Sequence, residues 1–346
     1  MQGANKKIRV LIVDDSVFFR NALSAGLSAD PEIEIVGRAA DANEAKGLID
    51  SLKPDVITLD VEMPKMNGIE FLKILLAKKP IPVILVSSVN LSVFDALQAG
   101  AVDFVRKPDM RKPDSAGSFF RELARTIKGA AHANVRAAKP ASGGISITLA
   151  GMGTVRDTAL IAIGASTGGT EAMLEIVRNF PKDTPGIVVV QHMPPGFTKM
   201  YADRLNTLCK MDVKEAADGD AVLAGRILIA HGDLHMAVVR RGGMYAVRCY
   251  GGEKVSGHRP SVDVLFDSVA DQVRDKAIGV ILTGMGRDGA SGLLKMRKAG
   301  AFTIGQDEES SVVYGMPMVA FEIGAVVTQA SLEKIPKVLE DKLKKK

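Results

Sequence analysis

Cysteine is scarce in this sequence, and long apolar segments are missing from it. The two cysteines, Cys209 and Cys249, lie forty positions apart and lack the spacing of a metal-binding or redox motif. Apolar runs end after about eight residues, far short of the ~20 that a membrane-spanning helix needs. We therefore expect two reduced thiols, no structural disulfide and no insertion into a membrane.

Strong charge of one sign and a targeting segment are also missing. The net charge of +5 is modest, and its densest block is the terminal D-K-L-K-K-K, which is typical of a solvated helix end rather than of a nucleic-acid surface. The first apolar stretch reaches Asp14 and Asp15 at once, so it does not fit a signal peptide. We expect a cytoplasmic protein that binds no nucleic acid.

What the sequence does contain is a regular alternation of apolar strands with helical patterns. A chain of 346 residues exceeds what one core usually organises, so two domains are expected. The first third predicts five strands and five helices, the layout of a parallel sheet covered on both faces. Small and polar residues without an apolar period fill positions 129–155 and predict a linker. The predicted domains are thus 1–128 and 156–346, both α/β, the second with candidate strands at 159–163, 187–190, 226–230, 244–248, 278–282 and 325–328.

Three acidic residues follow predicted strands of the first domain. Asp14 and Asp15 come after the first strand and Asp60 after the third. Because ligands of open parallel sheets gather beyond the carboxyl ends of the strands, we expect these carboxylates to converge. A single aspartate in such a place usually caps a helix or a turn, but three together are costly without a cation, and their hard oxygens suit Mg²⁺. Lys107 ends the fifth strand and is placed to meet anionic oxygens there.

The first domain resembles the response-regulator receivers. The resemblance covers about residues 7–127 and is carried by the paired aspartates, L-D60-V-E-M-P-K-M-N-G, V-S87-S and D103-F104-V-R-K107-P. It implies a flavodoxin-like fold in which Asp60 accepts a phosphoryl group from a chemotaxis histidine kinase. It assigns Asp14, Asp15, Asp60 and the Glu62 carbonyl to a Mg²⁺ site, Lys107 to the phosphate, and Ser87 and Phe104 to the switch positions.

In the second domain, G164-A-S166-T-G168 fits the G-x-S-x-G pattern, in which a strand turns into a helix and presents a serine above the sheet. His192 ends the apolar strand I187-V-V-V-Q-H, and Asp288 follows the strand I278-G-V-I-L, so both are expected at the same sheet edge as Ser166. A serine, a histidine base and a carboxylate that orients the imidazole are the components of nucleophilic acyl transfer. Their order along the chain differs from that of the α/β-hydrolases, which excludes that fold.

Other interpretations stay open on the residues alone. The pentapeptide is common by chance, so Ser166 could be simple turn chemistry. G284-M-G286-R-D-G289 satisfies G-x-G-x-x-G between a strand and a helix and is followed by Asp307, as in a dinucleotide-binding oxidoreductase. A response regulator with a nucleic-acid-binding output is a third possibility, although the second half shows no helix-turn-helix.

The remaining histidines are less informative. His231 and His235 are spaced like metal ligands but lie across a predicted turn, so metal binding is not favoured. His258, in S256-G-H-R-P-S-V-D, precedes a helix and either lines a cleft or caps that helix. The roles of His258 and Arg259 do not follow from the sequence.

The second domain resembles the chemotaxis protein-glutamate methylesterases of the CheB family. The resemblance covers about residues 156–343 and is carried by I163-G-A-S166-T-G-G, Q191-H192-M-P-P-G-F, G257-H-R-P-S-V-D-V-L-F and T283-G-M-G-R-D288-G. It implies that phosphorylation activates hydrolysis of glutamyl methyl esters on methyl-accepting chemotaxis receptors, with release of methanol, and deamidation of receptor glutamines. It implies Ser166, His192 and Asp288 as the triad, with the Met285 amide and an amide near Thr167 as candidates for the oxyanion hole. We expect no cofactor in this domain.

Overall fold

The computed structural model describes residues 6–63, 66–87, 92–108, 115–135 and 159–344. The chain divides into two compact units, residues 1–142 and 143–346. Positions 136–155 of the predicted linker lie outside the described residues, whereas its first two positions continue the last helix of the first unit. The predicted domain bounds therefore stay a prediction.

The first unit is a parallel five-stranded sheet that alternates with helices, as predicted. Its strands are β1 Ile8–Val13, β2 Ile33–Ala39, β3 Val56–Leu59, β4 Val83–Ser87 and β5 Asp103–Arg106. Its helices are α1 Val17–Leu27, α2 Ala42–Leu52, α3 Gly68–Lys78, α4 Ser92–Gln98 and α5 Ser115–Ala130. The strand order is β2-β1-β3-β4-β5, and every pairing is parallel.

The sequence of the first unit explains this arrangement. The central strands are continuous apolar runs because a parallel sheet is covered on both faces, and the residues Val10–Val13 are at most 1% exposed. Polar residues cap the intervening helices: Asp41, for example, accepts hydrogen bonds from the amides of Asn43 and Glu44 at the start of α2. Since β1 and β3 are neighbours, the residues that follow them meet in one crevice.

The second unit is built around a parallel seven-stranded sheet. Its strands are β6 Leu160–Ala165, β7 Gly186–Gln191, β8 Asp212–Glu215, β9 Arg226–Ile229, β12 Ala277–Ile281, β13 Phe302–Gln306 and β14 Thr328–Ala330, and two further strands, β10 His235–Arg241 and β11 Met244–Tyr250, form a separate antiparallel hairpin. Its helices are α6 Gly169–Val177, α7 Phe197–Leu208, α8 Val262–Gln272, α9 Ala290–Lys298, α10 Met316–Glu322 and α11 Ile335–Lys344, with a short 3₁₀ turn at Arg274–Lys276. The order in the large sheet is β14-β13-β12-β6-β7-β9-β8.

The α/β class of the second unit is confirmed, but three of its strands were not predicted. β8 is a four-residue edge strand in which three residues are charged, and β13 contains a glycine and a threonine that weaken its apolar signal. β10 begins with a histidine and ends in two arginines, which shortens its apolar run, and it was not predicted either. The predicted last strand at 325–328 lies three residues too early, since β14 begins at Thr328.

Among the described residues, none of the helices combines the length and the apolar character that crossing a bilayer requires.

Candidate active site and candidate phosphorylation site

The three residues predicted as a triad follow three neighbouring strands of the second unit. Ser166 directly follows β6, His192 directly follows β7, and Asp288 lies in the loop between β12 and α9. β6 is paired in parallel with β7 on one side and with β12 on the other. The three residues therefore lie at one carboxyl edge of the sheet, as expected for ligand-binding positions of an open α/β sheet.

Ser166 and His192 are also in register with each other. Ala165 lies opposite Gln191 in the ladder, and the His192 amide donates to the Ala165 carbonyl at 3.1 Å. Ser166 and His192 are the residues that follow this pair on β6 and β7. The backbone thus places a hydroxyl and an imidazole side by side, which supports the triad as a proposal.

Small residues allow the turn that carries Ser166. Gly168 has φ +76°, in the left-handed region that glycine adopts without strain, and a Cβ there would lie 2.6 Å from the Val312 side chain. Gly284 belongs to the neighbouring loop, and a Cβ on it would lie 2.7 Å from the Cβ of Ser166. The glycines of the two motifs therefore allow two backbone segments to lie close together around Ser166.

His192 and Asp288 form a buried hydrogen-bonded pair. Nε2 of His192 lies 2.7 Å from Oδ2 of Asp288, and the two side chains are 7% and 1% exposed. Nδ1 of His192 is buried and has no hydrogen-bond partner within the described part of the chain. Because the Asp288 carboxylate accepts a hydrogen bond from Nε2–H, Nδ1 is left as the basic atom of the ring, and a hydroxyl is the partner it lacks.

Asp288 is held as a carboxylate by four donors. Its Oδ1 accepts from the Ser261 hydroxyl at 2.7 Å and from the Asp263 amide at 3.1 Å, and its Oδ2 accepts from the Val262 amide at 2.7 Å as well as from His192. Burial by itself raises the pKa of this carboxyl, but the hydrogen bond and charge of His192 and the other donors outweigh it and lower the pKa to about 2. Asp288 therefore stays ionised while it orients the imidazole.

A second carboxyl, that of Asp263, lies beside Asp288 and was not predicted from the sequence. Its Oδ1 accepts from the Gly292 amide at 2.8 Å. Burial, together with the neighbouring charges of Asp288 and Asp267, raises the pKa of Asp263 to about 6. Near neutral pH, the neighbouring carboxylates of Asp263 and Asp288 thus both carry negative charge.

The raised pKa of Asp263 makes the free energy of unfolding depend on pH in a defined direction. A carboxyl whose folded-state pKa lies above its ordinary value contributes stability that is fully present below about pH 4 and is lost as the pH rises through about 6. We expect Asp263→Asn to raise the melting temperature of the second unit at pH 7 and to have a smaller or opposite effect at pH 4.5. Calorimetry of the full chain at both pH values measures this difference.

Asp275→Asn is the matched control for that experiment, because Asp275 is an exposed carboxylate of the same unit. Its effect on the melting temperature should be the same at both pH values. If the difference in melting temperature between Asp263→Asn and the parent chain is the same at both pH values, Asp263 does not titrate as described.

Two polar side chains fasten the loops around Ser166. The Gln191 amide donates to the Ser166 carbonyl at 2.9 Å, and the Thr283 hydroxyl donates to the Thr167 carbonyl at 3.0 Å. The Ser166 amide in turn donates to the Thr283 carbonyl at 3.0 Å. These bonds connect the ends of β6, β7 and β12, so the serine turn is rigid before any substrate binds.

The oxyanion-hole candidates lie beside this turn. Thr167 is buried and follows the serine, and Met285 is partly exposed in the loop that follows β12. Within the described residues, the Met285 amide donates no hydrogen bond, as a donor reserved for substrate requires. Both assignments stay predictions.

The residues behind the alternative interpretations make other contacts in the structure than those interpretations require. The segment 284–289 does lie between a strand and a helix, but its Asp288 accepts hydrogen bonds from His192 and from the Val262 amide at the start of α8, contacts that a phosphate-binding loop does not require. Nδ1 of His231 bonds the Gly232 carbonyl, and Nε2 of His235 bonds the Glu253 carbonyl. Among the described residues, the only acidic, histidine or cysteine cluster suited to a metal lies elsewhere, in the first unit.

That cluster is the predicted acidic site of the first unit. One carboxylate oxygen from each of Asp14, Asp15 and Asp60 lies within 4.8 Å of the others. Lys107 bridges two of them, with Nζ 2.5 Å from Oδ2 of Asp60 and 2.8 Å from Oδ2 of Asp14. Three hard oxygen donors at a sheet crevice fit Mg²⁺, and the residues would hold it together with an incoming phosphoryl group. The presence of Mg²⁺ stays a proposal.

Burial and the neighbouring charges shift the pKa values of the side chains in this crevice. Burial raises the pKa of Asp60, with the nearby Asp14 charge adding to it, while Lys107 opposes the shift. Burial also disfavours the charge on Lys107, but its bonds to Asp14 and Asp60 outweigh this and raise its pKa. The lysine is thereby kept charged and aimed at the oxygens of Asp60.

The remaining residues predicted for this site lie in the loop after β3 and on β4 and β5 of the same sheet. The Glu62 amide donates to Oδ1 of Asp60 at 3.2 Å, but the predicted use of its carbonyl as a metal ligand is untested. Ser87 ends β4, and its buried hydroxyl has no hydrogen-bond partner within the described ranges. Phe104 lies on the adjacent β5 and is buried. Their switch roles stay predictions.

Comparison with known proteins gives consistent results for both units. Residues 161–339 match the family model described as CheB methylesterase, and residues 10–113 match the response regulator receiver domain. The chain is 54% identical over 334 residues, 96% of its own length and 97% of the relative's, to "Protein-glutamate methylesterase/protein-glutamine glutaminase 2" of Syntrophomonas wolfei subsp. wolfei. It is also 54% identical over 329 residues, 92% of its length and 94% of the relative's, to "Protein-glutamate methylesterase/protein-glutamine glutaminase" of Sulfurimonas denitrificans.

A solved structure is similar to the second unit. The CheB methylesterase catalytic domain of Thermotoga maritima is 41% identical to this chain and has a TM-score of 0.52, over 53% of this chain and 98% of that one. The comparisons favour an esterase over the dinucleotide-binding and nucleic-acid-binding alternatives.

Proposed function

Because the chain belongs to the CheB methylesterase family, with a receiver domain ahead of the esterase domain, we propose that it hydrolyses glutamyl methyl esters on chemotaxis receptors and is activated by phosphorylation. The reaction releases methanol and restores a glutamate carboxylate. The same chemistry on a receptor glutamine releases ammonia. Its partners would be the methyl-accepting receptors and a chemotaxis histidine kinase, which places the protein in the cytoplasm.

The observation that carries the proposal is the His192–Asp288 pair at 2.7 Å, next to the turn that presents Ser166. A buried imidazole with one nitrogen fixed by a carboxylate and the other unoccupied is the arrangement of a general base. The serine at the neighbouring strand end supplies the nucleophile.

The proposed reaction proceeds in two halves. Nδ1 of His192 takes the proton of the Ser166 hydroxyl as Oγ attacks the ester carbonyl carbon, and backbone amides stabilise the resulting oxyanion. The C–O bond to the methoxy group then breaks, and Nδ1 returns the proton so that methanol leaves. Water repeats the sequence on the acyl-enzyme, which frees the glutamate carboxylate and the serine.

In the receiver domain, an oxygen of Asp60 attacks the phosphorus of a phosphoryl donor, and the bond between that phosphorus and the donor's nitrogen or oxygen breaks as the donor leaves on the opposite side. Lys107 neutralises the negative charge that accumulates on the phosphoryl oxygens. Mg²⁺, held by Asp14, Asp15 and Asp60, would supply further charge neutralisation when bound.

The test of the proposed function is methanol release from methylated receptor, measured with the full chain. We expect Ser166-dependent release of methanol and, from receptor with glutamine at the same positions, release of ammonia. Binding of a reduced nicotinamide dinucleotide without any methanol release would instead favour the oxidoreductase alternative.

Phosphorylation should raise the rate of methanol release. A small acyl phosphate with Mg²⁺ is expected to accelerate the full chain by about 5- to 150-fold, the range of ordinary coupling free energies. Asp60→Asn should abolish this increase because the amide cannot accept the phosphoryl group. Asp50→Asn, an exposed carboxylate on α2 of the same unit, is the control and should keep the increase. An unchanged response in Asp60→Asn would contradict the assignment.

A further inference from the structure

The imidazole of His192 is stacked on a second imidazole, that of His258. The two ring centroids are 3.7 Å apart, and the ring planes differ by only 4°. His258 is not one of the three residues of the proposed triad. Its ring lies against the broad face of His192, whereas Asp288 holds the ring edge at Nε2.

The backbone on one side of His258 is fixed by a tight turn. The amide and carbonyl of His258 exchange hydrogen bonds with those of Val255, at 2.9 and 3.0 Å. The two residues between them, Ser256 and Gly257, have φ of +53° and +82°. Two consecutive left-handed residues closed by such bonds define a hairpin turn, so His258 emerges from a rigid segment.

On the other side of His258, two sets of hydrogen bonds hold the chain, and the second of them reaches the carboxylate of Asp288. The Arg259 guanidinium donates to Asp233, and the Asp233 amide donates to the Arg259 carbonyl at 3.2 Å. Two residues later, Ser261 caps α8, and its hydroxyl donates a hydrogen bond to Asp288. His258 is thus held between two anchors, one of which also fixes Asp288.

A stacked ring in this place has two physical consequences. Rotation of the His192 ring about its Cβ–Cγ bond would drive the ring edge into the face of His258, so the ring plane is restricted. The ring also covers one face of His192 against water and places a π face beside an imidazole that becomes positively charged when it takes the serine proton. Both effects favour the step in which His192 acts as base.

We propose that His258 is a positioning residue, whose stacked ring fixes the plane of the His192 imidazole so that Nδ1 faces Ser166 while Nε2 stays on Asp288. This inference rests on the proposed function, because it assigns a role only if His192 is the base. His258 itself takes part in no proton transfer in this proposal.

The experiment compares three chains in the methanol-release assay. We expect His258→Ala to lower kcat by about 10- to 100-fold, the scale of a misplaced catalytic group, with little change in KM. His258→Phe keeps a flat ring and should restore kcat to within about threefold of the parent, since a phenyl face also stacks on an imidazole and attracts its charged form. A small serine-directed fluorophosphonate should label His258→Ala more slowly than the parent by a similar factor, because labelling depends on the base but not on receptor binding.

Tyr250→Ala is the matched control, because it removes a ring from β11, the strand that precedes this segment, where the ring packs near His235 rather than His192. Its kcat should equal that of the parent, and melting temperatures verify that all variants are folded. The inference is overturned if His258→Ala keeps the parental kcat, if it changes KM alone, or if His258→Phe is as slow as His258→Ala. Failure of the proposed function is recognised separately, as a parent chain that releases no methanol or one whose release survives Ser166→Ala.

Discussion

Replacement of Ser166 by alanine is expected to lower methanol release by about 10⁵- to 10⁶-fold, the loss seen when a serine hydrolase is deprived of its nucleophile. The hydrogen bonds recorded for Ser166 are formed by its main chain: its amide donates to Thr283, and its carbonyl accepts from Gly169 and Gln191. Alanine therefore leaves the turn in place and removes only the hydroxyl. Single-turnover methanol release from methylated receptor measures the effect.

Ser291→Ala is the control for this substitution. Ser291 is an exposed serine on α9, and its loss should leave the rate unchanged. Binding of the methylated receptor and the melting temperature of Ser166→Ala should match those of the parent. Residual activity within tenfold of the parent would mean that another group is the nucleophile.

The second large effect is expected for Asp288→Asn, which should lower kcat by about 10⁴-fold, because an amide can present a donor to Nε2 and stabilise the wrong tautomer of His192. The substitution should also reduce stability. Four donors converge on the two carboxylate oxygens of Asp288, and an amide offers only one accepting oxygen, so buried donors lose their partners at about 1–3 kcal/mol each. Steady-state kinetics and thermal unfolding of the same preparation record both effects.

Ser261→Ala separates the two roles of Asp288. It removes the hydroxyl that caps α8 and donates to Oδ1, but it leaves the bond between His192 and Oδ2 intact. We expect it to lower the melting temperature while reducing kcat by less than about tenfold, since the orientation of the imidazole is kept. If Ser261→Ala and Asp288→Asn lose the same activity, then Asp288 acts through the helix and not through His192.

Much of the site could be predicted because parallel sheets impose a simple rule. Residues that follow neighbouring parallel strands share one edge, so Ser166, His192 and Asp288 could be brought together from three apolar runs and the residues after them. The same rule brought Asp14 and Asp60 to one crevice. Strands such as β6 and β7 are fully buried and read as continuous apolar runs, which is why they were located to within one or two residues.

The weaker elements could not be located in this way. Three of the four residues of the edge strand β8 are charged, and β10 begins with a histidine and ends in two arginines, so neither has a long apolar run. The role of His258 stayed open for a similar reason. Its segment has no regular secondary structure and carries no periodic signal, and the sequence alone allowed it either to line a cleft or to cap α8; in the structure the cap is Ser261.

The local pattern of the chain was enough to predict two α/β units, the strand ends that carry chemistry and the residue types needed for phosphoryl and acyl transfer. Three contacts follow from the folded structure alone: Nε2 of His192 bonds Asp288, Asp263 lies against Asp288, and His258 stacks on His192. These contacts join residues 25 to 96 positions apart. They depend on how loops cross above the sheet, and hydrophobic periodicity, which reports only local burial, carries no information on that.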